Sequence, residues 1–311
     1  MVFNTPILFL VFNRPDHTRQ VFERIRDVKP RYLFVAADGP REFRIDDEKK
    51  CSEVREIISS GIDWNCDVKT LYRSENLGCG KGVSASITWF FENVDHGIIL
   101  EDDCLPEFSF FQFCSHLLEY YKNDKEIMHI GGSNFQSGKN MQDYSYYFSA
   151  YSHNWGWATW KRSWAKFNFL VRHDEVSNVA VSLRKYGFDR REINYWIKIF
   201  EIQSQTKQSD IWDYQWLSTI WLNHGLCIVP HVNLVRNIGF DSTGTHTKET
   251  HNFLSISSRS LDNFRHPVKR KINILADHYT FKNFYLVRPS LLTRVLFNLR
   301  SLLKSCLKVK Y

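Results

Sequence analysis

The feature that most constrains this chain is an alternation in its first 124 residues. Four runs, PILFLVF (6–12), RYLFVAADGP (31–40), DVKTLYRS (67–74) and GIILED (97–102), read as strands. Between and after them lie segments with helical spacing. Val21, Phe22, Ile25 and Val28 mark the first helix, which Asn13 is expected to cap with Pro15 in its first turn. Further helices are expected over 46–60, 81–93 and 109–124. Strands and helices alternating at this spacing predict an α/β domain built on a largely parallel sheet. Ligands of such sheets sit beyond the carboxyl ends of the strands. Asn13, Asp38, the 75–82 turn and the acids 101–103 all fall at such ends.

The acids pose a physical question. Glu101, Asp102 and Asp103 stand directly behind the apolar Ile98-Ile99-Leu100. Three adjacent carboxylates repel one another, and only water or a counter-charge relieves that. Hard divalent cations take carboxylate oxygens and leave coordination positions for phosphate and water. A solvated turn is the plainer reading, and the residues alone leave both open. Similar alternatives hold nearby. Asp38 before Gly-Pro suits a simple turn as well as a binding role, and Arg14 could pair with an acid or contact a nucleotide. Gly78, Gly80 and Gly82 lack the dinucleotide spacing and read as a tight turn before the helix. Lys81 at that helix start is a candidate phosphate contact or a surface lysine.

From about residue 127 the alternation breaks. MHIGGSNF is expected as a short strand and loop. The aromatic stretch YFSAYSHNWGWATWKRSWAKF is expected to lie across the domain face. Residues 178–208 and 213–224 read as helices, and GLCIVPHVNLVRNIGF as a strand pair or meander, followed by the polar loop DSTGTHTKETHN. Of Trp155, Trp157 and Trp160, most are expected in the core and Trp157 open to a ligand. The division expected is 1–126, 127–277 and a tail, 278–311.

Charge narrows the partners. The net charge is +7, and residues 278–311 hold seven Lys or Arg and no acid, which leaves the body near neutral. That is not the profile of a nucleic-acid enzyme, whose charge lines a groove. The tail's apolar residues recur at helical spacing, so a basic amphipathic helix is expected there, resting on an anionic membrane surface or docked on protein. Seven cysteines without a CxxC pair fit a reducing compartment rather than a disulfide framework. The first residues carry no basic leader, and their apolar run is too short to cross a bilayer. A cytoplasmic protein, at the inner face of the plasma membrane, is the expectation.

IILEDDCLPEFSFFQFC resembles the metal-binding segment of GT-A fold glycosyltransferases, and is especially similar to the N-acetylglucosaminyltransferase I family. NRPDHTRQVFERI is similar to that family's first nucleotide-contacting turn, and VAADGPR to the second, which implies that Asp38 meets uracil. HNWGWATWKRSW resembles the Gly-Trp segment of the acceptor face. SDIWDYQW resembles the segment that bears the catalytic base, and DSTGTHT the loop that closes over the nucleotide. ENLGCGKG looks like the general bacterial pattern in which an Asn, here Asn76, approaches the nucleotide. The ordered set spans residues 7–250. The resemblance implies a Rossmann-like GT-A sheet and an inverting, Mn2+- or Mg2+-dependent transfer from a UDP-linked sugar, an N-acetylhexosamine by the likeness. The acceptor is expected to be a glycan, lipid-linked where the tail meets a membrane, in bacterial surface polysaccharide synthesis. It makes Asp103 the metal ligand, with Asp102 at the ribose or a metal-bound water and Glu101 near the donor sugar. Asp213 is the expected base, with Asp210 as fallback. Asn13, Arg14, Lys81 and His246 join the nucleotide-sugar contacts, with His251 behind His246. Trp155, Trp157 and Trp212 form the acceptor side. The rivals are a nucleotidyltransferase on a similar sheet, which would need a Gly-rich basic loop after the first strand, and a catalytically inactive carbohydrate-binding protein.

Overall fold

The apolar runs of the first half close into one sheet. The computed structural model describes residues 2–137, 144–205, 210–240 and 256–286. Strand β1 (Ile7–Val11) is buried along its whole length. It leads into α1 (Pro15–Val28), whose buried Thr18, Val21, Phe22, Ile25 and Val28 keep helical spacing. Then follow β2 (Tyr32–Ala37), α2 (Ile45–Gly61), the exposed edge strand β3 (Asp67–Tyr72), α3 (Gly78–Asn93) and β4 (His96–Glu101). β3, β2, β1 and β4 lie side by side, all parallel.

Side chains of β1 alternate between two cores. Ile7, Phe9 and Val11 pack with α1, α2 and α4 (Phe108–Tyr120) on one face. Leu8 and Leu10 pack on the other with α3, α6 (His173–Tyr186), α7 (Arg190–Gln205) and α8 (Asp213–Leu222). This is the period-two rule of a strand buried on both faces. The same rule in β4 sends Ile98 and Leu100 to the first core and Ile99 to the second. The expected α/β class, with helices on both faces of a sheet that is mostly parallel, is what the structure has.

The second half enters the sheet rather than covering it. β6 (Ile127–Gly131), β7 (Tyr146–Ser149), β8 (Trp157–Trp160) and β9 (Leu226–Pro230) extend it to eight strands in the order β3-β2-β1-β4-β8-β6-β9-β7. β8 inserts antiparallel between β4 and β6, and the one-turn α5 (Lys161–Trp164) follows it. The aromatic stretch therefore forms strands, because its Trp and Tyr side chains find both cores. The helix expected over 178–208 is two helices, α6 and α7, parted where Gly187 takes a left-handed backbone, φ 94°. The expected strand pair over 225–240 is also corrected: β9 joins the main sheet, while β10 (Val235–Asn237) pairs antiparallel with β5 (Cys104–Pro106) in a separate ribbon.

The boundary drawn at 277/278 falls inside α9 (Ile274–Thr280), which runs on as one turn of π-helix, Phe281–Tyr285. Asp277 pins this segment to the body, accepting from Ser149 Oγ at 2.5 Å and Ala150 N at 2.8 Å. The remaining tail, 287–311, and the loop with His246 and His251 lie outside the described residues. Among the described residues no helix is long and apolar enough to cross a membrane.

Candidate functional site

A cleft of about 680 Å³ opens at the carboxyl ends of β1, β2 and β4. Arg14, Asp38, the acids 101–103 and Asn76 line one side of it. Trp155, Trp212 and Asp213 line the other, and Asp210 stands beside Asp38 at the start of α3.

The β4 acids are not splayed into water. Glu101 continues the side of the strand that Ile99 occupies. Asp102 is buried and accepts from Phe12 N at 3.2 Å. Asp103 accepts from Arg14 Nη1 at 2.9 Å, and the same guanidinium lies 3.5 Å from Asp102. Removal from water pushes the Glu101 carboxyl up to about 8, reinforced by the charges of Asp103, Asp102 and Asp213. Burial likewise raises Asp102, to about 6, against the pull of Arg14. So Arg14 supplies part of the counter-charge that the crowding demands.

Asp103 has a second constraint that the sequence did not announce. A Cβ on Gly239 would lie 2.4 Å from Asp103 Oδ2 and 2.9 Å from its Cβ. Ile238 N also donates to Asp103 O at 2.8 Å. The chain after β10 is thus moulded onto this aspartate, and Gly239 and Phe240 line the cleft. The only sequence signal was a glycine soon after an apolar run.

Asp38 also has work beside any ligand. Its carboxylate accepts from Leu77 N at 3.0 Å and Gly78 N at 3.2 Å, tying β2 to the start of α3. Burial still raises its pKa. Gly39 next to it packs where a Cβ would sit 2.5 Å from the Glu75 backbone, and Asn76 Nδ2 donates to Gly39 O at 2.8 Å. The glycines 78, 80 and 82 are inside α3 rather than in a turn before it, and Asp210 accepts there from Gly80 N at 3.4 Å. Two acids at a helix N-terminus suit its dipole.

Other expected residues sit elsewhere. Asn13 does not cap α1, whose N-cap is Arg14. Asn13 stands behind the cleft, donating to Asp47 Oδ1 at 2.7 Å. Asp47 in turn holds Arg41 by two bonds of 2.6 and 2.9 Å, and Arg41 lines the cleft. Lys81 is exposed on α3, outside the cleft's lining. Trp157 is corrected from an open residue to a fully buried one, stacked on Trp212 at 5.6 Å and His129 at 5.1 Å. Its strand is interior, so its ring has no free face. Trp212 is nearly buried but reaches the cleft, and Trp155 is half-buried on its wall. Asp213 opens α8 and accepts from Tyr214 N at 3.0 Å.

Several cleft residues escaped sequence reasoning. Arg41 and Arg73 join Arg14 as its cations. Phe284 and Tyr285 of the π-turn form part of a wall. Ser152, His153 and Asn154 line it too, and each has a buried polar atom with no partner among the described residues. Such an atom costs on the order of 1–3 kcal/mol.

The donor set bears on a metal. Among the described residues six carboxyl groups and three guanidinium groups line the cleft. An anionic diphosphate would meet a negative balance unless a cation came with it. Asp103 and Asp102 offer the hard oxygens that Mn2+ or Mg2+ prefers. The acids 101–103 do not form a three-ligand cage among the described residues. They fit a shallow site of one or two carboxylates, completed by phosphate oxygens and water.

No family model and no curated protein matches the sequence. Solved structures do align, at low similarity. An apo UDP-glucose pyrophosphorylase aligns over 72% of this chain and 90% of its own, with 9% identity and a TM-score of 0.36. HddC from Yersinia pseudotuberculosis covers 51% of this chain and 77% of its own, at 9% identity and 0.31. UTP-bound UGPase from Acinetobacter baumannii covers 52% and 77%, at 10% identity and 0.29. Scores this low support no conclusion about activity, and the class of fold rests on the sheet order itself.

Proposed function

We propose that this chain is a nucleotide-sugar-dependent glycosyltransferase that inverts the sugar carbon, taking a UDP-linked hexose, an N-acetylhexosamine by family resemblance, to a glycan acceptor. One observation carries the reading: the β4 acids and Asp213 face a single cleft, close enough for the charge of Asp213 to raise the Glu101 carboxyl. A donor sugar between them would have the diphosphate on one side and a carboxylate on the other.

On this reading Arg14, Arg41 and Arg73 draw the diphosphate in, and Asp38 with Asn76 holds the nucleoside end. Asp103, with Asp102, holds the cation. A bound Mn2+ or Mg2+ would neutralise charge growing on the departing diphosphate. Asp213 takes the proton of the acceptor hydroxyl as its oxygen bonds to the anomeric carbon. The bond to the diphosphate oxygen breaks, and that oxygen leaves with the electron pair. The turn after β1, Phe12-Asn13-Arg14-Pro15, has no glycines to cradle a triphosphate, which favours this reading over nucleotidyl transfer.

Titration calorimetry of UDP with and without Mn2+, joined to a screen of nucleotide sugars for metal-dependent hydrolysis, tests it. UDP binding that needs Mn2+ and fails in Asp103→Ala is expected. Undiminished binding by that variant would sink the metal assignment. A protein that binds UDP but hydrolyses no donor would be a binding module instead.

A further inference from the structure

The loop between β7 and β8 carries a row of polar atoms that the protein itself leaves unused. Ser152 Oγ, His153 Nε2 and Asn154 Oδ1 are buried without a partner among the described residues, and all three residues line the cleft. The loop is held from behind, so these atoms are not there through slack. His153 Nδ1 lies 2.9 Å from Ser133 O. A carbonyl only accepts, so Nδ1 carries the hydrogen and Nε2 is left as a bare acceptor. Burial lowers the His153 pKa to about 4, which keeps the ring neutral at physiological pH.

Aromatic rings complete the wall. His153 stacks on Phe135 at 4.3 Å, and Phe135 stacks on Phe284 at 4.3 Å. Trp155 stands edge-on to both, at 4.8 and 5.9 Å. Phe284 comes from the one-turn π-helix, a geometry found disproportionately at functional sites. Hydroxyl-pairing groups beside apolar ring faces match a pyranose, whose edge donates O–H bonds and whose face is C–H. The charge on this side narrows the class. Among the described residues the cleft's guanidinium groups come from the β1, β2 and β3 ends, while the Asp213 carboxylate lies close enough to Tyr285 of the π-turn to act on its hydroxyl, and Tyr285 packs on Tyr151 beside this loop.

We propose that Ser152, His153 and Asn154, walled by Trp155 and Phe284, form a subsite that selects a neutral pyranose by its hydroxyls and rejects an acidic one. The sugar is that of the acceptor if the cleft is a transferase site, and to that extent the assignment rests on the function proposed above. Because these atoms are buried, admission of the sugar requires the wall around them to shift.

Saturation-transfer NMR and calorimetry with methyl glycosides of glucose, galactose, N-acetylglucosamine and glucuronic acid test this, with and without UDP and Mn2+. At least one neutral glycoside should bind, and the glucuronide about tenfold more weakly or not at all. His153→Phe keeps the stack but loses the Nε2 acceptor together with the Nδ1 bond to Ser133, and should weaken neutral binding about tenfold or more. Phe284→Ala, at a half-buried position, should weaken it similarly while leaving UDP binding unchanged. No neutral glycoside binding, a glucuronide bound as well as the neutral sugars, or wild-type affinity in both variants would overturn the subsite. Glycosides that bind as stated in a protein that never binds UDP would leave the subsite standing and remove the transferase reading alone.

Discussion

The two sides of the cleft solve the burial of polar groups in opposite ways. On the side formed by the β1, β2 and β4 ends most charged groups are answered by the protein. Arg14 pairs with Asp103 and Asp102, Arg41 with Asp47, and Asp38 with the start of α3. On the opposite side, residues 152–154 keep buried atoms that nothing described answers. A pre-paired surface is stable alone and rigid, so it suits a ligand every substrate shares. An unanswered one gains more from the right partner than from a wrong one, which is how a site discriminates.

The largest effect expected is Asp213→Asn. It removes a carboxylate without touching the Arg14–Asp103 pair. Turnover should fall about a thousandfold, within the range for loss of a general base, while UDP affinity stays within twofold. Steady-state kinetics and calorimetry on the same preparation check it. Equal loss of UDP binding would show that the two sides are not separable.

Next comes a pH effect from the anchor of α9. Asp277, beneath the π-turn segment, is raised by burial from 3.8 to about 7, although it accepts from Ala150 and Ser149. Its folded pKa lies above its unfolded one, so the folded state binds more protons between them. Its contribution to stability is therefore present at low pH and lost as pH rises from about 4 to about 7. Asp277→Asn should flatten that part of the curve, by roughly 2–4 kcal/mol between pH 5 and pH 8. Denaturant midpoints across that range measure it, and a variant whose slope matches wild type would refute the assignment.

Gly239→Ala follows, on the paired side. The new methyl must displace the Asp103 carboxylate from its place against Gly239 and strain its bond to Arg14. Metal-dependent UDP affinity should fall about tenfold, or roughly 1.4 kcal/mol, with metal-independent binding little changed. Wild-type affinity would mean that Asp103 moves freely.

How much of this could be read beforehand divides along the same line. β1 to β4 alternate with helices along the chain, and β1, β2 and β4 are near-continuous apolar runs because both their faces are covered, while β3 is the exposed edge strand and was placed by the alternation, so the local pattern carried the fold. The acids 101–103 stood out because charge beside apolar residues is costly, whereas Asp213 was singled out by family resemblance alone. β8 was not legible. Its Trp157 and Trp160 are strand residues only because β4 and β6 close around them, a long-range fact. The strand pairing of Val235 with Pro106, which brings Gly239 to Asp103, has no local signature either. Phe284 reaches the cleft through α9, whose anchor, Asp277 on Ser149, joins residues 128 apart.

The smallest effect tests how redundant the pairing around Asp47 is. Asn13 was expected to touch the nucleotide and instead props Asp47. Asn13→Ala removes one of the bonds that hold Asp47, but Arg41 keeps both of its own to that carboxylate. The arginine that faces the cleft should stay in place, and UDP affinity should change by no more than about twofold, near the resolution of calorimetry. Direct contact with the nucleotide would instead make the loss about tenfold. Removing Asp47 itself separates the two cases. If Asn13 acts only through Arg41, Asp47→Ala must cost more than Asn13→Ala, and adding Asn13→Ala to it must cost nothing further.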